Sequence, residues 1–139
     1  MADTLDDLKR NLQSLANSIS SKLNERQGYL DKADEIQKVY DRLARDKKTI
    51  KEYRNDIVYF YKESYNEFKG DNYKYTYKPS TQDLRDSYDD VISNIDINLD
   101  ALNNQILSYK NKASGCLGSL GYMQIAYNSV KTQIQNWTN

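Results

Sequence analysis

The chain has 139 residues, 29 % of them charged, with 20 basic and 20 acidic side chains and no histidine. Its mean hydropathy of −0.92 is too polar for a thick core but suits a thin apolar seam between long helices, and its neutral net charge and regular apolar spacing separate it from disordered chains. Nucleic acid as the main partner is disfavoured, since it needs a net basic face, and the lack of histidine removes the commonest general base and transition-metal ligand.

The first twenty residues, Met1 to Ser20, carry acids where a cleaved signal peptide needs bases, and they hold no continuous apolar run. No segment has the length and apolarity to span a bilayer. The expectation is synthesis in the cytoplasm, no membrane insertion, and any export by a route without a cleaved signal.

Helix one is predicted over about residues 3–68. Leu5, Leu8, Leu12, Leu15, Ile19 and Leu23 form a first seam. Tyr29, Ala33, Ile36, Tyr40 and Leu43 form a second; Ile50, Tyr53, Ile57, Phe60 or Tyr61, and Phe68 form a third. The phase slips near Ser21–Gly28 and again near Asp46–Lys48. A slip means that the stripe rotates around the helix or that the helix breaks. A break over 21–28 and one continuous helix both stay open, because an isolated Gly28 costs only ~1 kcal/mol in a helix.

The turn is predicted over about 69–80. Phe68 ends the first apolar stripe, Gly70 with Asp71 and Asn72 stops the helix, and Pro79 precedes the second. Ser80 or Thr81 is the expected N-cap of helix two, with Asp83 in its first turn. That helix runs over about 81–137. Its seam steps by three and four through Ile92, Ile95, Leu99, Leu102, Ile106, Tyr109, Ala113, Cys116, Leu120, Met123, Tyr127, Val130, Ile134 and Trp137. The whole chain reads as one all-α domain, an elongated antiparallel helical hairpin of coiled-coil type, with a separate or bent N-terminal helix as the variant form.

Catalytic chemistry is poorly supplied. Cys116 has no histidine to activate it and falls on the seam, where a small apolar residue fits. The carboxylate pairs Asp6/Asp7, Asp89/Asp90 and Asp96/Asp100 lie on polar helix faces. No glycine-rich phosphate loop follows a strand. The sequence therefore leads to a non-enzyme without cofactor or metal.

Binding is better supplied. Thirteen tyrosines exceed what a thin seam needs, and tyrosine is enriched at interfaces. Tyr29, Tyr40, Tyr53, Tyr109 and Tyr127 read as seam residues; Tyr59, Tyr61, Tyr65, Tyr73, Tyr75, Tyr77, Tyr88 and Tyr122 lie at or beyond its edges. Gly115, Gly118 and Gly121 sit three apart inside helix two. They cost roughly 3 kcal/mol of helix propensity, which implies close approach of a helix, from this chain or another, or else a break or kink. Lys69, Lys74 and Lys78 interleaved with Tyr73, Tyr75 and Tyr77 could stack bases and hold phosphates, but Glu67, Asp71 and the neutral whole-chain charge oppose that reading.

A long helix ending in Phe68-Lys69-Gly70 and followed by another resembles the WxG-motif helical-hairpin proteins of type VII secretion, with Phe68 in place of the Trp. The wider layout is similar to the YwqH-like family: "KADEIQKVYDRLARDKKTIKEY" before the turn, "DSYDDVISNIDINLDALNNQI" after it, and a terminal Trp137. The resemblance covers about Tyr29 to the end. It departs at Phe68 and at the tail: Tyr122 and Tyr127 are followed four residues on by Ala126 and Lys131, so the Tyr-x-x-x-acid export signal is missing there. Tyr59 to Glu63 is the one match, and it lies before the turn. The resemblance implies a bacterial, non-enzymatic partner, a targeting factor or chaperone, for the helical N-terminal domain of an LXG-type toxin. A second small helical protein, or a further copy of the chain, could join. On that reading the chain stays cytoplasmic or leaves with the toxin without a cleaved signal. Candidate partner-binding residues are Tyr61, Tyr65, Phe68, Tyr73, Tyr75, Tyr77, Gly115, Gly118, Gly121 and Trp137. The competing reading is a self-associating coiled-coil scaffold.

Overall fold

Thr4 starts the first helix. Its hydroxyl accepts the Asp7 N–H at 3.1 Å, and the Asp7 carboxylate accepts the Thr4 N–H at 3.3 Å, a reciprocal box that satisfies two donors of the first turn. Those two Thr4 groups, with Arg10 beside them, hold the Asp7 carboxyl below its usual range. From this cap α1 runs without a break over Leu5–Glu67, and α2 spans Lys78–Thr138. The computed structural model describes residues 4–67 and 78–138, with side chains at 4–58 and 79–138. The two helices pack against each other as an all-α helical hairpin.

Of the two forms left open at 21–28, the continuous helix is the one found. Gly28 does not break α1, and a Cβ built there meets nothing within 4 Å. Helix two begins at Lys78, ahead of the expected 81, so Pro79 lies in its first turn and not in the connection, and Ser80 and Thr81 are inside the helix. Proline is well placed there, since a first-turn N–H has no helical partner to lose. Phe68, Gly70, Tyr73, Tyr75 and Tyr77 lie outside the described residues, as do Lys69 and Lys74. Tyr61 and Tyr65 are within α1, outside the span of described side chains.

The seam of α1 also differs from expectation. Half-buried or buried residues fall at Leu5, Leu8, Leu12, Leu15, Ile19, Lys22, Arg26, Tyr29, Ala33, Ile36, Tyr40, Leu43, Lys47, Ile50, Arg54 and Ile57, with Asp7, Ala16, Leu30, Gln37, Ala44 and Val58 half-buried at the edges. The seam positions step by three and four with no slip, as the a and d positions of an unbroken heptad. The stripe does not rotate. Instead Lys22, Arg26, Lys47 and Arg54 occupy core positions, while Leu23 and Tyr53 are exposed. Long basic side chains can do this because their methylene stems cover apolar surface and their heads reach the edge. On α2 the expected seam is found as read, with Tyr88 added to it and Trp137 exposed at its end.

Packing divides into two compact units. The first joins Met1–Glu35 to Gln105–Asn139, and its core is Leu8, Ala33, Ile106, Ala113 and Cys116. The second is Ile36–Asn104, where Ile95 and Leu99 are buried. Two ion pairs cross between the helices in the second unit. Arg54 grips Asp89 with two nitrogens, at 2.7 and 3.5 Å, and Lys47 pairs with Asp96. From Lys47 to Arg54 α1 advances one heptad; from Asp96 to Asp89 α2 retreats by one. The helices of this unit are therefore antiparallel and in heptad register. Both pairs are partly solvated, so each contributes ~1 kcal/mol or less, and their larger effect is to fix that register.

Candidate protein-binding surface

The stretch read as the first phase slip builds a polar cluster in the first unit. Lys22 donates to Glu25 at 2.8 Å, and the Tyr29 hydroxyl donates to the same carboxylate at 3.3 Å. Across the seam, the Tyr29 and Tyr109 rings lie 6.3 Å apart at 35°, and Lys112 Nζ sits over both, 5.9 and 5.1 Å from their centroids. Such contacts favour aromatic pairs and cations over ring faces. Glu25 holds the Lys22 ammonium above its ordinary range, and Lys22 holds the Glu25 carboxyl below its own. The Glu25 charge pushes the Tyr29 phenol up. Arg26 lies between Lys22 and Tyr29 on α1. Its Nε is buried with no hydrogen-bond partner. On α2 the corresponding stretch carries Ala113 and Cys116, whose small side chains leave room for the bulky residues opposite.

These shifts set a pH response. Asp7 and Glu25 have lowered folded values, so the stability they supply is present above the usual carboxylate range and lost as pH falls through it. Lys22 has a raised value, so its share is lost only in strong alkali. With no histidine, no side chain has an ordinary pKa between about 5 and 8. Thermal melts should be flat between roughly pH 6 and 8 and decline below about pH 5. A slope inside the neutral window would contradict this assignment.

No cluster of three or more metal-ligating side chains occurs among the described residues, and no described helix is long and apolar enough to cross a membrane. The small cleft lined by Ile57, Val58, Thr81, Gln82 and Arg85 holds no carboxylate, thiol or hydroxyl-base pair. What the structure does offer is surface. Among the described residues eleven large hydrophobics are exposed, whereas only Leu8, Ile95, Leu99 and Ile106 are large and buried. Tyr122 is 80 %, Ile125 68 % and Leu117 51 % exposed, all on α2 of the first unit.

No family model, curated protein or solved structure matches this chain. The surface must then be read from its own chemistry. Gly115, Gly118 and Gly121 all point outward, and a Cβ at any of them meets nothing within 4 Å. No helix of the first unit approaches them closely and α2 continues through them unbroken, so of the alternatives only approach by a helix of another chain is left. The glycines and Trp137 share the outside of the same C-terminal stretch of α2. Tyr122 lies beyond the seam edge as expected, whereas the exposed Leu117 and Ile125 beside it were not singled out by the seam spacing. The signal was available in sequence, because residues 113–130 contain no charge.

Proposed function

We propose that this chain is a non-enzymatic binding partner, a targeting factor or chaperone, of the helical N-terminal domain of an LXG-type toxin exported by type VII secretion. The observation that carries the reading is the surplus of exposed apolar side chains on a two-helix hairpin. A hairpin with so thin a core resembles an incomplete bundle, and helices from another chain would complete it. The sequence layout around the turn supplies the identity of the partner. The chain acts by laying helix against helix, with the tyrosine-rich connection and Trp137 as further contact points, and its fate after binding is the cytoplasm or export with the toxin.

Co-expression with an LXG-type toxin from the same source, followed by purification through a tag on the toxin, tests this. A stable equimolar complex with the helical domain is the expected result. A toxin that never retains the chain would remove the reading. The unbroken heptads on both helices favour one rival, a self-associating scaffold. Sedimentation of the isolated chain separates the two: a stable dimer or tetramer indifferent to added toxin domain supports the scaffold.

A further inference from the structure

The outward side of α2 in the first unit has an unusual charge pattern. From Ala101 to Asn139 the chain contains no acid, and its only charges are Lys110, Lys112 and Lys131. Lys110 and Lys131 occupy the same edge position, three heptads apart, about 31 Å along the helix. Among the described residues neither makes an ion pair. Between them the exposed Leu117, Tyr122 and Ile125 surround Gly118 and Gly121. The glycines cost helix propensity that nothing in the unit's own packing offsets, since the space above them is empty.

We propose that this face seats one amphipathic helix of the partner protein. Bulky aliphatic side chains of that helix lie on the flat ground at Gly118 and Gly121, and carboxylates at its two ends meet Lys110 and Lys131. Charge sets the sign of the partner: a second copy presenting the same face would bring lysines to lysines, whereas an acidic-ended helix neutralises both. The inference rests on the toxin-domain reading and names the part of the chain that carries it.

The test titrates the purified helical domain of the toxin into four forms of the chain by calorimetry, with melts of each free form. G118A/G121A should raise the melting temperature of the free chain, because two methyl groups enter open space, yet weaken binding at least tenfold. K110E/K131E should weaken binding at least tenfold, and wild-type binding should fall with added salt. G28A, the same chemistry on α1, should raise the melting temperature and leave binding unchanged. If both double variants bind like wild type, the domain docks elsewhere and this proposal fails while the toxin reading stands. If wild type does not bind, both fail. A homodimer of the isolated chain that G118A/G121A dissociates would give the face to a second copy and overturn the proposal.

Discussion

Replacing Ile106 by aspartate should unfold the hairpin at 25 °C. Ile106 is 4 % exposed on the α2 seam. The substitution removes a buried aliphatic side chain, about 2–3 kcal/mol, and sets a carboxylate in the apolar seam, which costs several kcal/mol more. A domain of this size has about 5–15 kcal/mol in total, and one with so thin a seam has little to spare. Circular dichroism at 222 nm should show most of the helix lost. Leu107, the next residue, is 57 % exposed, and Leu107→Asp should cost no more than about 1 kcal/mol. Equal damage from the two would refute the seam assignment. Leu99→Asp should behave like Ile106→Asp, since Leu99 is also buried.

The opposite sign is expected at Arg26. It stands at a core position, half-buried, with its Nε shut from solvent and unbonded. A buried donor left without a partner costs about 1–3 kcal/mol, and a leucine at a heptad core position adds apolar burial. Arg26→Leu should therefore stabilise the chain by about 1–2 kcal/mol and raise its melting temperature by roughly 3–8 °C. Differential scanning calorimetry reads this directly. A drop in melting temperature would mean that the guanidinium is engaged by a group that the leucine cannot replace.

Arg26 also shows where the sequence was hard to read. On α2 every core position from Ile92 to Ile134 is apolar or small, so the seam was visible by inspection. On α1 four core positions hold Lys or Arg. A reader who follows hydrophobicity slides to Leu23 and Tyr53, the nearest apolar residues, and records a slip. Strict counting by three and four from Leu5 lands on all four cations and on Ile57. The physical clue to two of them sits far away in sequence: Asp89 and Asp96, the acids that Arg54 and Lys47 meet. Single-sequence periodicity has no access to such partners. The glycine stripe was legible as a cost needing compensation, but its direction was not. Only the burial pattern of α2 shows that Gly115, Gly118 and Gly121 face away from the seam. Pro79 was placed just ahead of the helix that it opens, and it lies one residue inside, where its missing N–H is harmless in the first turn.

The two cross-helix ion pairs of the second unit carry one more consequence. Heptad seams are periodic, so sliding one helix past the other by seven residues leaves every apolar position still facing the core. Hydrophobic contact alone would tolerate several such alignments. Moved one way, Arg54 would meet Asp96 but Lys47 would meet Asn103; moved the other, Lys47 would meet Asp89 but Arg54 would meet Gln82. Each misalignment strands one cation against an amide. The charges therefore work like the teeth of a zip, selecting a single closure among equivalents and disfavouring the mis-zipped hairpins that would otherwise compete during folding.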